Sequence, residues 1–502
     1  MQYPEKVQEF LEEVNGQISY EPMRAAIDEE LAAHIEDKTQ LYQEYGLEEE
    51  EAVSRALRDM GDAVQIGIQM NEAHHTRLCW PLLGTALALL AVGVLGNLRY
   101  IWREGYGIDF LLSQNFYVIP LLLALFWSTW FGYPFVIRQV KKLCTGYVVL
   151  CLGVLILKLC GSVLFVNVLV EGTGAVSGLL RHFYSLTVCF GLMLLAVPVL
   201  AVTAYRQRHQ GIRGIVYTGL FVAVILSLEG VQVRGSYPYV AVLAVLFSFL
   251  AVMVYMVFHG YWNLPGKKCV PISAAVFLVL LLSWGAFQGY GNLAREVGQF
   301  LMPQRYAEST WSNAYDSVLV RELLGSARLA GPAKLSQEEL FDYGTGEWYF
   351  GEEGKGTWER SGMTLEENKA YRQQFFTVDT VTLEDVLPQS YPANYRIVCW
   401  ILAYGWLPGL LLLGIVLAFA ALLVGISFRI RNRLGRLVAF AGSICLVLQV
   451  LFYVLGNFGC RFGWFGSLPF VSEGVVSGVV NGILLGLVLS VYRYDLVTEE
   501  RL

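Results

Sequence analysis

Lys158 stands midway along an otherwise apolar run, Leu155-Ile156-Leu157-Lys158-Leu159. A charge at the centre of a bilayer-spanning helix costs about 2.5–3.5 kcal/mol on insertion scales. Such a side chain faces a polar cavity, pairs with an opposite charge, or snorkels toward an interface, and mid-span depth makes snorkelling hard. Glu229, at the end of a later apolar run, is a candidate partner. His34, His74 and His75 invite a metal reading, but His34 falls on the face of an amphipathic helix and the pair lies in a linker. The nine cysteines are scattered, mostly inside apolar runs such as those around Cys151, Cys160, Cys189 and Cys445, and no pair has metal-ligand spacing. They read as small buried residues, and no metal is expected.

The elements that must position these groups are set by composition. The chain has 502 residues, 55% of them hydrophobic and only 16% charged, as in a polytopic membrane protein rather than a globular one. A net charge of −6 gives no basic bias toward nucleic acid, so no nucleic-acid partner is expected. Residues 1–75 differ sharply from the rest: they are polar and acidic, read as no cleavable signal peptide, and precede a first apolar run near Cys79. Within them Ile27, Leu31, Ile35 and Tyr42 recur at helical spacing up to Gly46, a residue that tolerates the positive φ of a helix end. A second helix carries Ala52, Val53, Ala56, Leu57 and Met60 and stops at Gly61. A third starts from Asp62 as N-cap, with Val64 and Ile68 facing inward. The expectation is an all-α chain: a small soluble three-helix bundle, then about ten membrane spans.

The apolar runs fall at about 79–98, 117–136, 146–168, 184–204, 214–230, 238–258, 270–290, 397–426, 434–456 and 468–492. About 20 apolar residues cross a bilayer as a helix. The run 397–426 is long for one span and short for two; it is expected to be a single helix with Pro408 inside it. Lys and Arg set orientation. One set of loops holds Arg138, Lys141 and Lys142; Arg206, Arg208 and Arg213; Lys267 and Lys268; and Arg429, Arg431, Arg433 and Arg436. The other short loops hold Arg99, Arg103, Arg181, Arg234 and Arg461. The asymmetry puts both termini in the cytoplasm, and residues 291–396 form the single large outer loop.

The last span carries the most specific pattern. Leu468-Pro469-Phe470-Val471-Ser472, then Gly474 and Ser477, then Leu485-Gly486-Leu487 through Ser490-Val491-Tyr492-Arg493, resembles the last-span signature of the SEDS family (shape, elongation, division and sporulation). Glu473 and Val475 depart from it, where the family usually has Tyr and Gly. The resemblance covers roughly 79–502. Residues 20–75 resemble a HAAS-type permease prefix domain, through Glu30-Leu31, His34-Ile35, Asp37 and Met60-Gly61-Asp62. Such domains bind partners rather than catalyse, which implies a cytoplasmic partner for this head.

The SEDS resemblance implies a cell-wall polymerase that joins lipid-linked disaccharide-pentapeptide (lipid II) into glycan strands, beside a class B penicillin-binding protein or a divisome- or elongasome-type membrane partner, in a bacterial cell membrane. It also implies the reacting residues. The family reads Leu-Pro-Glu, a few residues, Asp-Phe, then a helix reaching Gly. Here Leu387-Pro388-Gln389-Ser390-Tyr391-Pro392-Ala393-Asn394-Tyr395 reaches Gly405, so that Asn394 falls at the family's essential Asp and Gln389 at its Glu. A sugar hydroxyl must lose a proton as it attacks the anomeric carbon. A carboxylate accepts that proton or holds a cation, whereas an amide does neither well. General-base help is worth roughly 10²–10⁴-fold. Asp385 and Glu384 lie just before the motif as substitutes. Pro469, Ser472 and Glu473 of the last-span signature, with Lys158, Glu229 and Arg181, are the expected substrate-binding groups. A divalent cation is expected only if the chain polymerises, and the amides at Asn394 and Gln389 imply that it polymerises poorly or not at all. Two other readings stay open: a non-catalytic receptor or scaffold signalling through its head, and a flippase or transporter of the lipid-linked precursor.

The loop charges predict which cysteines face outward. In intact cells Cys460 reacts with an impermeant thiol reagent, whereas Cys144 and Cys269 do not; labelling of Cys269 from outside contradicts the orientation.

Overall fold

The computed structural model describes residues 4–19, 21, 24–73, 76–104, 107, 109, 112, 115–160, 186–228, 239–262, 266–288, 290–307, 312–350, 367, 370–371, 373–374, 377–388, 394–463, 468–472 and 474–495. Among the described residues the chain is helical and has no strand. It forms two compact units: Met1–Cys79 with Ile430–Gly435 and Val491–Leu502, and Trp80–Arg429 with Arg436–Ser490.

The first unit contains four helices: α1 Glu5–Gly16, α2 Arg24–Glu44, α3 Glu49–Met60 and α4 Ala63–Ala73. The three expected helices are α2 to α4, and α1 is an addition. Val7, Leu11 and Val14 recur on α1 at i, i+4 and i+7 and are buried with Ile18 against Ile27, Leu31 and Ile35 of α2 and Val53 and Ala56 of α3. Gly46 and Gly61 end α2 and α3 with φ of 91° and 99°, and Asp62 caps α4 by accepting from Gln65 N at 3.1 Å. The inward face of α4 differs from the expectation. Ile68 is exposed, while Ala63 and Gly67 are buried and Ile66 and Met70 pack on the core. Gly67 lies so close to α1 that a Cβ there would meet Val14 O at 2.7 Å, which turns the stripe by one position. His34 is exposed on α2; His74 and His75 lie outside the described residues. The same unit holds a buried carboxylate: Asp495 accepts from Arg431 N at 2.7 Å, Asn432 N at 2.9 Å and Arg77 Nη2 at 3.2 Å.

The second unit carries α5 Trp80–Glu104, α6 Val118–Trp127, α7 Tyr133–Cys160, α8 Leu186–Gln207, α9 Ile212–Leu226, α10 Tyr239–Phe258, α11 Gly266–Gln288, α12 Tyr290–Leu301, α13 Asn313–Gly325, α14 Gln337–Thr345, α15 Arg396–Tyr404, α16 Trp406–Arg429, α17 Arg433–Asn457 and α18 Val475–Tyr494. Among the described residues seven helical stretches are long and apolar enough to cross a membrane, and Ile212–Leu226 and Val242–Phe258 are shorter apolar helices. The chain is a multi-pass membrane protein.

Two expected boundaries are redrawn. The runs 117–136 and 146–168 were separated by a basic loop, but α6, a π-helical turn Ser128–Gly132 and α7 follow without a break. Arg138, Lys141 and Lys142 therefore lie on a helix. The π turn and Pro134 mark where the partner changes, as such features do at helix bends. Before it, α6 follows α18, where Gly478, Gly482 and Gly486 recur every four residues. A Cβ on Gly482 would sit 2.8 Å from Leu121 O, and one on Gly486 2.7 Å from Leu125 O. This is the small-residue face that lets two membrane helices approach to backbone contact, and Ser128 Oγ donates across it to Gly482 O at 3.2 Å. After the turn, α7 lies on α8, with Arg206 Nη2 donating to Ile137 O at 2.9 Å and Tyr147 OH to Leu192 O at 3.1 Å.

The run 397–426 is two helices, not one. Gly405 has φ of 99°, and the chain turns there between α15 and α16. Trp406 N and Leu407 N donate to Arg328 O and Leu329 O at 2.8 and 3.0 Å, while Gly331 N and Ala333 N donate to Tyr404 O and Leu402 O at 2.7 Å each. Pro408 then sits in the first turn of α16, where its missing N–H leaves no intrahelical bond unmade. A Cβ on Gly405 would lie 2.6 Å from Ala330 Cα. Positive φ alone costs a non-glycine residue about 1–2 kcal/mol. Gly405→Ala is expected to lower the unfolding midpoint in detergent by several degrees; an unchanged midpoint contradicts the turn.

Candidate functional site

The stretch Asn394-Tyr395-Arg396 enters α15, and each residue is fixed by a different element. Helix N-termini leave their first N–H groups without intrahelical acceptors. Here α17 supplies them: Arg396 N donates to Tyr453 OH at 3.2 Å and Val398 N to Asn457 Oδ1 at 3.2 Å. The Asn457 amide is fully buried, and its Nδ2 donates to Asn394 O and Tyr453 O at 3.0 Å each. Asn394 is half-buried, and its side-chain amide makes no hydrogen bond among the described residues.

Arg396 is 5% exposed and reaches α5, where Nη1 donates to Gly93 O at 2.8 Å and Nη2 to Asn97 Oδ1 at 2.6 Å. Asn97 in turn donates to Asn115 Oδ1 at 3.1 Å. Gly96 leaves the room: a Cβ there would collide with the guanidinium. Gly93 also faces the turn before the last span, since a Cβ on it would lie 3.0 Å from Phe470 O. In that turn Ser472 Oγ accepts from Leu468 N at 2.8 Å, and Val471 N and Ser472 N donate to Leu468 O at 3.1 Å. Phe470, a non-glycine residue at φ 68°, is held there by burial and by an edge-on contact with Phe419 at 5.7 Å. Such strain persists only where the surroundings over-determine it. The Tyr453 hydroxyl also meets Ser472, which ties the turn to the start of α15.

Tyr395 is fully buried, and its hydroxyl accepts from Arg461 Nη1 at 3.4 Å. The same nitrogen forms an ion pair with Asp316 Oδ2 on α13. Arg461 N donates to Ser317 Oγ at 3.3 Å and its Nε to Gly463 O at 3.3 Å, so the chain after α17 wraps onto α13. Gly459, at φ 74°, permits the wrap: a Cβ would lie 2.6 Å from Ser317 O. Burial pushes the Asp316 carboxyl up to about 6, against the opposing pull of Arg461. Burial likewise raises the phenol of Tyr395, and it raises the carboxyl of Glu296 on α12, which accepts from Asn313 Nδ2 at 3.5 Å. The phenol of Tyr395, the residue that follows Asn394, thus faces Arg461 and Asp316, and Glu296 acts on the same guanidinium.

Of the residues singled out in the sequence, Asn394, Pro469 and Ser472 come to this junction. Asp385 does not: it is exposed, and its Oδ2 accepts from Thr382 N and Thr382 Oγ1 at 2.8 Å each, capping the short helix Leu383–Val386. Lys158 lies on α7, with its side chain outside the described residues, and Gln389, Glu229, Arg181 and Glu473 also lie outside them. Asp316, Glu296, Tyr395, Arg396, Tyr453 and Asn457 were not anticipated, and Arg461 was weighed only as a loop charge. Arg396 and Asn457, polar residues at the borders of apolar runs, were the signal available.

No protein-family model matches the chain, and neither does any curated protein. Among solved structures the chain is similar to one from a peptidoglycan synthase complex in which polymerization and crosslinking are structurally coordinated. The TM-score is 0.51 and the identity 15%, with 83% of this chain and 98% of that chain covered. At this identity the likeness is one of fold.

Proposed function

We propose that this protein is a SEDS-like membrane protein of bacterial cell-wall synthesis that binds a lipid-linked peptidoglycan precursor at the junction of Asn394–Arg396 with the Leu468–Ser472 turn. The observation that carries the reading is the meeting of these two stretches at one place. They are the ones whose residues resemble the family's reactive loop and last-span signature, and Tyr453, Asn457 and Gly93 join them. The likeness of fold to a chain of a peptidoglycan synthase complex, over 98% of that chain, supports it.

The precursor's diphosphate needs cationic or amide donors, and its sugars need hydrogen-bonding groups. The junction supplies Arg461 and the amide of Asn394, which keeps the reach of a carboxylate without its charge. The basic residues at Arg206–Arg213, Lys267–Lys268 and Arg429–Arg436 support a reading with both termini cytoplasmic, the head facing a cytoplasmic partner through its HAAS-like helices, and α13 and the junction on the outer face. A class B penicillin-binding protein is the partner that the reading implies in the membrane.

The test is binding by the purified full chain in nanodiscs. Saturable binding of lipid II, at least tenfold tighter than of phosphatidylglycerol, is expected, a difference of about 1.4 kcal/mol. Equal affinity for both lipids contradicts the proposal.

A further inference from the structure

The residue that aligns with a reactive acid is an amide, and the nearby acid of its own segment, Asp385, is spent on a helix cap. The junction is nevertheless not without carboxylates. We infer that Asp316 is the proton-accepting carboxylate of this site, brought from α13 to the place that the sequence gives to Asn394. The inference rests on the functional reading above and adds the group that performs the chemistry.

The geometry favours Asp316 over the other acids. Its Oδ2 is bound to Arg461, whose Nη1 also reaches Tyr395 OH, and Tyr395 directly follows Asn394. Its Oδ1 makes no hydrogen bond among the described residues, and the side chain is 16% exposed. One oxygen is therefore anchored and the other is open, which is the arrangement a positioned base needs. Glu296 also acts on Arg461, but its carboxylate is engaged by Asn313 and by the backbone of Gly463. The charged and titratable groups around Asp316 are Arg461 from the turn after α17, Tyr395 from the approach to α15, and Glu296 on α12.

The step balances as a glycosyl transfer. The acceptor sugar's hydroxyl oxygen forms a bond to the anomeric carbon of the donor, and its proton passes to Asp316 Oδ1. The bond from that carbon to the lipid diphosphate breaks, and its electron pair leaves with the diphosphate. Arg461, paired with the carboxylate, balances its negative charge until the proton arrives. The carboxylate accepts a proton only when ionised. Burial raises its titration to about 6, so the step runs above that pH and fails below it.

The experiment is glycan-strand formation from fluorescent lipid II by the purified full chain, with a class B penicillin-binding protein present, from pH 4.5 to 8, beside lipid II binding at each pH. Expected are strands at pH 7.5, an acid limb falling tenfold per pH unit below about 6, and unchanged binding. Asp316→Asn lowers turnover at least 10²-fold while binding changes less than threefold. Asp316→Glu retains turnover with a displaced limb, a result that a purely structural ion pair does not give. Asn394→Asp remains sensitive to Asp316→Asn. If Asp316→Asn does not fold, the wild-type limb and Asp316→Glu decide: a limb below pH 5, or loss of turnover in Asp316→Glu with binding and folding intact, overturns the inference. Binding without strand formation overturns it as well and leaves the functional reading standing. Absence of lipid II binding removes both.

Discussion

The junction depends on one buried amide. Asn457 is fully enclosed, yet its side chain serves as donor to two backbone carbonyls and acceptor for one N–H. Those bonds replace what the first turn of α15 lacks by itself. In a membrane-embedded bundle an unmade backbone bond has no water to turn to, so the helix can begin there only where a neighbour supplies acceptors. Tyr453 and Asn457, one helical turn apart on α17, present them in register. From this follow the path of Asn394, the burial of Tyr395 and the reach of Arg396 to α5. A hydrophobic residue at 457 would remove the partner of Val398 N and of Asn394 O together, at a cost of about 1–3 kcal/mol for each buried group.

A second constraint acts at the other face of the same bundle. Gly478, Gly482 and Gly486 let α18 touch the backbone of α6, and the π turn with Ser128 fits into that contact. Because Gly93 touches the Leu468–Ser472 turn at the head of α18, the last span, the first span and α15 share one point. Phe470 pays for that convergence with a positive φ.

Much of this was legible in the chain. Apolar runs gave the helices, because membrane burial leaves a composition signal that needs no partner. The Leu468–Gly474 stretch stood out because its residue types serve a turn rather than a helix. The break at Gly405 was hidden, since hydropathy is continuous across it and only the backbone of the Arg328–Ala333 loop makes it necessary. The continuity of α6 and α7 was hidden for the opposite reason: three basic residues read as a loop, although helical backbone accommodates them equally well. The acids of the site were hidden by distance. Asp316 and Arg461 are 145 residues apart, each unremarkable in its own loop, and become a pair only when the chain after α17 wraps onto α13. Asn394 was visible because a resemblance pointed to it, and that resemblance also drew attention to Asp385, which serves its own helix.

The most direct measurement places a photoreactive amino acid at one position at a time in the full chain, adds radiolabelled lipid II, and compares capture. Capture at positions 394 and 472, competed by unlabelled lipid II, with none at exposed position 385, is the expected result. Capture at 385 but not at 394 or 472, or capture that phosphatidylglycerol competes equally well, contradicts a precursor site at this junction.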